Sequence, residues 1–169
     1  MSILTKPEIL RAIQKGAISI EPFSSESVNA GSVDLTLDDK FRLFLAQKFP
    51  VDVRDDTDYQ KFSKLIVAKS IVLKPGETIL GITKEKLSLA SNICGWLEGR
   101  SRFARLGLMI HISASFMHPG ISNHEVLEIS NMGRVPLRLH AGTKICQFVF
   151  QKTLGRAKYA GKFKTQSSP

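Results

Sequence analysis

Apolar and polar residues alternate with a period of two along much of this chain. Ser32-Val33-Asp34-Leu35-Thr36-Leu37 puts Val33, Leu35 and Leu37 on one face and Ser32, Asp34 and Thr36 on the other. That pattern predicts a strand with one side against a core. Residues 41–44 continue in the same manner, and residues 64–73 are rich in isoleucine and valine. Lys74-Pro75-Gly76-Glu77 sets proline and glycine where a type II turn needs them. Residues 78–83 are therefore predicted as a return strand. Further apolar segments run over 106–116, 125–131, 135–139 and 144–150, the last two divided by Ala141-Gly142. Short strands with frequent turn signals, without a βα rhythm or an internal repeat, predict a mainly β sandwich or barrel.

One helix precedes the strands. Thr5-Lys6-Pro7-Glu8 has the spacing of a capping box, with Thr5 as N-cap and Glu8 three residues on. Ile9, Leu10 and Ile13 then share a helical face, and Gly16 is a natural stop. Residues 52–58 are polar and acidic and read as an exposed loop. Residues 155–169 are basic with few apolar anchors and read as a tail beyond a domain of residues 1–154.

Composition narrows the class. The chain's 169 residues suffice for one domain with a hydrophobic core. No stretch reaches the ~18–20 apolar residues of a membrane helix, and the N-terminus lacks a basic segment followed by an apolar one. A cytoplasmic location is expected. Cys94 and Cys146 sit in apolar runs without a CxxC spacing and are expected as buried thiols. The net charge of +9 suits a polyanionic partner. Nucleic acid, a small phosphorylated ligand and a merely solvated basic surface all satisfy it.

Candidate chemistry concentrates in two places. The P-loop motif, HExxH and the H-x-E with P-C-x-x-C of zinc deaminases are all absent, and His111, His118, His124 and His140 have no metal-ligand spacing. No protein-held metal is expected. Gly99-Arg100-Ser101-Arg102-Phe103-Ala104-Arg105-Leu106-Gly107-Leu108 packs three arginines and a serine between glycines. Arginine forks and close backbone approach suit a phosphate; an exposed basic turn explains the same residues. Glu128 lies within Glu125-Val126-Leu127-Glu128-Ile129-Ser130-Asn131, on one strand face with Val126 and Ser130. A partly desolvated carboxylate there would suit general acid–base work; a solvent-facing or ion-paired glutamate is the plainer alternative.

These segments resemble the dCTP deaminase/dUTPase superfamily. Residues 99–108 are similar to its G-R-S-S-x-x-R-L-G-L, and residues 126–131 to its V-L-E-x-x-N strand. Ile18-Ser19-Ile20-Glu21-Pro22-Phe23 resembles I-x-I-x-P-F, and Ser32 to Leu37 resembles S-V-D-L-x-L. Lys162-Phe163-Lys164-Thr165-Gln166-Ser167-Ser168-Pro169 is similar to K-Y-x-x-Q-x-x-P. The motifs occur in order over nearly the whole chain.

The resemblance implies a distorted β-barrel or jelly-roll subunit in a homotrimer with active sites between subunits. It implies a deoxypyrimidine triphosphate substrate, dCTP or dUTP, whose Mg2+ is held mainly by the phosphates. Carried over by position, Glu128 activates the water that attacks C4 of cytosine. Ser101 and Arg105 place that water and stabilise the transition state. Arg100, Ser101 and Arg102 meet the phosphates, and the backbone around Ala114 and Val126 reads the pyrimidine edge. Lys162 and Gln166, joined by Tyr159, belong to a tail closing over the triphosphate. Two departures matter. Arg102 stands where the family has serine, and Met117-His118 stands where it has I-D. His118 could bind the sugar hydroxyl but cannot act as the anionic carboxylate of the diphosphatase branch. The leading reading is therefore a dCTP deaminase forming dUTP and ammonia. The second is a dUTP diphosphatase or a bifunctional dUMP-forming enzyme. The third is a non-catalytic nucleotide-sensing or nucleic-acid-binding domain, against which the scarcity of Trp and Tyr counts.

Overall fold

The computed structural model describes residues 2–111, 113–161, 163 and 166–169. A helix α1 (Lys6–Gln14) leads into β1 (Ile18–Glu21), β2 (Val33–Thr36), β3 (Lys40–Phe44), β4 (Ser63–Val67), β5 (Ser70–Leu73), β6 (Thr78–Leu89) and β7 (Ile93–Gly99). After a one-turn helix α2 (Ser101–Ala104) come β8 (Leu108–Ile110), β9 (Phe116–Met117), β10 (Ser122–Asn131), β11 (Leu137–His140) and β12 (Lys144–Lys152). One sheet has the order β4-β3-β6-β10-β8, with β1 also on β6; a second has β2-β12-β7-β9; β5 and β11 pair separately. All the pairings are antiparallel. One apolar core draws on both larger sheets, with Phe41, Leu87 and Leu127 from the first and Leu35, Leu97, Phe148 and Phe150 from the second. This is the expected mainly β fold with a short N-terminal helix, as a distorted jelly-roll rather than a closed barrel. Among the described residues no helix is long and apolar enough to cross a membrane. Both cysteines are buried free thiols.

Four local expectations change. Thr5 is the N-cap, but its side chain caps nothing, and Glu8 pairs with Arg11 one turn on. The capping box therefore does not form. Residues 64–73 are two strands, β4 on β3 and β5 on β11, because the chain crosses between sheets at Ala68, whose N–H donates to Asp39 O at 2.8 Å. The Pro75-Gly76 turn forms, with Gly76 at φ +79, yet it does not close a hairpin. Gly76 N donates to Asn131 O at 2.8 Å and Asn131 N to Glu77 O at 3.0 Å, so the turn delivers β6 to β10 instead. The polar face of β2 is also buried rather than solvated. Asp34 pairs there with Arg100 at 3.0 Å and accepts from Asn29 at 2.9 Å.

Glycine is required where the sheets close tightly. A Cβ at Gly95 would lie 2.2 Å from both the Phe148 ring and the Val149 carbonyl oxygen. At Gly107, with φ +84, it would lie 2.4 Å from the Gly133 backbone. The glycines around the arginine segment thus differ in kind. Gly107 serves a backbone contact within the chain, whereas nothing lies within 4 Å of a Cβ built on Gly99.

The core holds one unusual carboxyl. Glu125 on β10 is 2 % exposed, and its Oε1 has no hydrogen-bond partner among the described residues. Burial pushes its pKa up from about 4.5 to about 8. The folded state therefore holds a proton that the unfolded chain releases above its ordinary glutamate range. Stability from this group is full below that range and is lost as pH rises towards 8. At roughly 1.4 kcal/mol per pKa unit the effect amounts to a few kcal/mol. Denaturant melts at pH 5.5 and 9 are expected to give a marked loss at the higher pH, and Glu125→Gln is expected to flatten it. Equal losses in both proteins would refute the assignment.

Candidate active site

β10 lies between β6 and β8, and its register with β6 shifts between His124 and Val126. Thr83 on β6 fills the gap, its Oγ1 accepting from Glu125 N at 2.9 Å and its carbonyl facing His124 Nδ1 at 3.1 Å. Beside this irregularity is a cavity of about 430 Å³. Its walls include Ala114, His118, Val126, Glu128, Tyr159 and Gln166, six of the residues singled out from sequence. His111, Asn123, Glu125 and Phe163 line it as well.

Glu128 is the side chain with usable chemistry. It is 38 % exposed, yet its Oε2 is buried and lies 2.6 Å from Nδ1 of His111, itself only 5 % exposed. The contact is close but lacks hydrogen-bond angles, so neither atom is satisfied by it. The other ring nitrogen, Nε2, is 3.0 Å from the Ala114 carbonyl oxygen. A carbonyl only accepts, so Nε2 carries a hydrogen. Nδ1 is the ring atom that faces the buried carboxyl oxygen of Glu128. That leaves Glu128 a second oxygen, on the exposed side of its carboxyl, for the cavity.

The backbone fixes this geometry. His111 has φ +55, an uncommon conformation for a non-glycine residue, and its N–H donates to Glu128 O at 2.8 Å. Sequence reading missed His111, since a lone histidine after the apolar run Leu108-Met109-Ile110 carries no motif. It missed Glu125 too, because alternation alone does not separate a buried glutamate from a solvated one.

An aromatic group forms another wall. The His118 and Tyr159 rings stack at 5.1 Å and 6°, and Phe116 meets His118 edge-on at 4.8 Å. Tyr159 N donates to Pro119 O at 2.9 Å, fixing the start of the tail segment beside this stack. Gln166 O accepts from His124 N at 3.4 Å. Lys162 lies outside the described residues.

The arginine segment is elsewhere in the protomer. Ser101 lines a separate cleft of about 490 Å³ with Glu98, Met109 and Gln147; His111 borders both spaces. Arg102 and Arg105 are exposed. Arg100 is largely buried, with Nη2 on Asp34 at 3.0 Å and Nη1 donating to Lys144 O at 2.7 Å. Within one chain, then, the cavity residues gather around Glu128, while Ser101, Arg102 and Arg105 stand apart.

Comparison with known proteins places the chain in a family. Residues 3–153 match the model of the dCTP deaminase-like family. A dUMP-forming dCTP deaminase of Leifsonia xyli subsp. xyli is 36% identical over 176 residues, spanning 99% of this chain and 88% of that protein. A dCTP deaminase of Marinomonas sp. is 38% identical over 161 residues, spanning 89% of this chain and 83% of that protein. The crystal structure of a 2'-deoxycytidine 5'-triphosphate deaminase from Agrobacterium tumefaciens superimposes with a TM-score of 0.68 at 21% identity. That alignment covers 88% of this chain but only 47% of the other, and it speaks for the fold alone. The collinear motifs, the jelly-roll and the family match lead to one conclusion: this chain belongs to the dCTP deaminase-like family.

Proposed function

We propose that the chain hydrolyses dCTP to dUTP and ammonia, with Glu128 as general base. The observation that carries this reading is the Glu128 carboxyl, with one oxygen buried against His111 and its other side open to the cavity. Glu128 takes a proton from water as the oxygen attacks C4 and the C4=N3 electron pair moves onto N3. It then passes that proton to the amino nitrogen of the tetrahedral intermediate, the C4=N3 bond re-forms as the exocyclic C4–N bond breaks and ammonia leaves, and the remaining hydroxyl proton moves to N3 to give the uracil. His111 keeps the carboxyl oriented and balances its charge as the proton moves. Backbone groups at Ala114 and Val126 read the pyrimidine edge, because both residues line the same cavity as Glu128. Apolar walls limit competing water. No zinc-held water is needed for this route, in keeping with the missing zinc-deaminase motif.

The triphosphate falls to Arg100, Ser101, Arg102, Lys162 and Gln166. Among the described residues no three His, Cys, Asp or Glu side chains converge as metal ligands. On the resemblance, magnesium travels as part of the nucleotide, on its phosphates. Arg100 also contributes indirectly, since its bond to Asp34 anchors the residue before Ser101.

Ser101 and Arg105 act on a neighbouring copy's Glu128 in a homotrimer. The separation of their cleft from the Glu128 cavity supports this, as do the exposed apolar side chains Leu106, Met109, Met132 and Val135 near that segment. A second reading has the enzyme continue to dUMP. Its support is the dUMP-forming description of relatives such as that of Leifsonia xyli.

Incubation with dCTP and magnesium is expected to release ammonia with dUTP accumulating. Pyrophosphate and dUMP in equal yield with ammonia would select the second reading, and pyrophosphate from dUTP without ammonia from dCTP would overturn both. Glu128→Gln is expected to lower turnover by about 10²–10⁴-fold, the usual worth of a general base, with nucleotide binding retained in a direct binding assay. A fully active variant would remove Glu128 from its role. Inactive Glu128→Gln and Arg105→Ala chains, mixed and allowed to exchange subunits, are expected to regain part of the activity. Failure to do so in demonstrably mixed oligomers would argue against shared sites.

A further inference from the structure

Arg42 on β3 is 8 % exposed, and no Asp or Glu side chain lies within ion-pair distance of it among the described residues. A buried guanidinium is costly unless its N–H groups find acceptors. Here the acceptors lie on Pro169 and Ser63. Nε donates to the backbone oxygen of Pro169 at 2.7 Å, and Nη1 to Ser63 Oγ at 3.3 Å. Ser63 Oγ in turn donates to Tyr59 O at 2.8 Å, and the Arg42 guanidinium sits 5.8 Å from the Tyr59 ring centre. Pro169 is buried in this socket. Were Pro169 withdrawn, Nε would lose the one acceptor it has among the described residues.

The socket is coupled to the candidate cavity. Tyr59 and Phe44, at the β3 side, line the cavity, and so do Phe163 and Gln166. Lys40 Nζ donates to Ser167 O at 3.3 Å. Across the cavity, Asn123 Nδ2 donates to Phe163 O at 2.8 Å and His124 N to Gln166 O at 3.4 Å. Bonds from β3 hold residues 167 and 169, and bonds from β10 hold residues 163 and 166. The stronger attachment is at the β3 end, where the donor is charged and buried.

We propose that Arg42 is a positioning residue that latches Ser167 to Pro169 onto β3 and thereby holds Gln166 and Phe163 in the wall of the candidate cavity. The latch is made within one chain. It replaces the expected picture of a tail with few anchors by one with a defined cationic anchor far away in sequence. Its effect on catalysis rests on the deaminase reading, since Gln166 then meets the triphosphate; the latch itself does not.

The test uses the full chain, Arg42→Ala, Arg42→Lys, a chain lacking residues 167–169, and the combination of that deletion with Arg42→Ala. Hydrogen–deuterium exchange of the peptide from residue 159 to the chain end is read first, in buffer alone. Arg42→Ala and the deletion are each expected to speed exchange at residues 163 and 166 by about tenfold, the worth of one hydrogen bond to a charged donor. Arg42→Lys is expected to fall between, because lysine keeps the charge without the fork. The combined variant is expected to match either single change, since both break one contact. In turnover of dCTP the same variants are expected to raise KM about tenfold with kcat little altered, the mark of lost binding rather than lost chemistry. Unchanged exchange in the deletion, which leaves β3 intact even if Arg42→Ala fails to fold, would overturn the proposal. So would additive effects in the combined variant. Faster exchange in variants of a chain that never turns over dCTP would sink the deaminase reading and leave the latch standing.

Discussion

The pairing of β10 with β6 is the constraint on which the rest of this protein depends. Regular pairing would run straight through, but β6 carries extra residues between Ile82 and Lys86 where β10 has only Glu125 between Val126 and His124. Such an irregularity twists and bends the strand that carries it. Thr83 makes it tolerable by giving its hydroxyl to Glu125 N and using that hydroxyl to reach Glu85 O at 2.8 Å. The ladder is restored at Val126, so Glu128 and Ser130 face Leu80 and Thr78 in ordinary register. The Glu128 end of β10 thus pairs in ordinary register, while the irregular end turns its backbone to the tail at His124 and Gln166. One strand in this way supplies both a fixed carboxylate and a docking edge.

Asn131 extends that constraint to the arginine segment. It is fully buried, and its side chain donates to Leu73 O and Val135 O at 2.9 Å each and accepts from Gly133 N at 3.0 Å. These bonds fix the turn after β10, and Gly133 then presses on Gly107 backbone to backbone. Met132 N donates to Gly107 O at 2.8 Å. The end of the residue 99–108 segment is therefore located by β10, even though its arginines point elsewhere. A side chain that read as one letter of a motif is a three-bond clamp with no exposed surface.

Much of this was legible in the sequence, for reasons that differ between elements. The alternation at Ser32 to Leu37 gave a strand because Val33, Leu35 and Leu37 do face the core. It hid the fact that Asp34 is buried as well, since period two reports which side is apolar and not whether the other side is covered. Glu128 was singled out through collinear motifs, and the structure places it in the wall of the cavity. His111 was not legible, because its role depends on a positive φ and on a contact with a residue 17 positions away. The hairpin predicted at Pro75-Gly76 failed for a related reason. The turn type sets a local reversal, but the partners of β5 and β6 are chosen by long-range packing.

Arg100 and Asp34 bear on how a segment dense in arginine can sit on a folded domain. Three arginines within six residues repel one another and lose side-chain entropy if all must be held. The fold resolves this unevenly. Arg100 is withdrawn into a largely desolvated ion pair with Asp34 and a bond to Lys144 O, where removing either partner would leave a costly unpaired charge. The backbone leaving Arg100 is thereby fixed, and Phe103 N and Ala104 N both donate to Arg100 O to start α2. Ser101, Arg102 and Arg105 are presented from that fixed start with their side chains exposed. The same buried region holds Glu85 and Glu125 near Cys146, whose thiol they help push above its ordinary range, with desolvation the larger cause. Asp34 is the carboxylate committed to Arg100, so a negative charge on Glu125 would add repulsion to a pocket already supplied with anions. Keeping Glu125 protonated is consistent with that electrostatic arrangement.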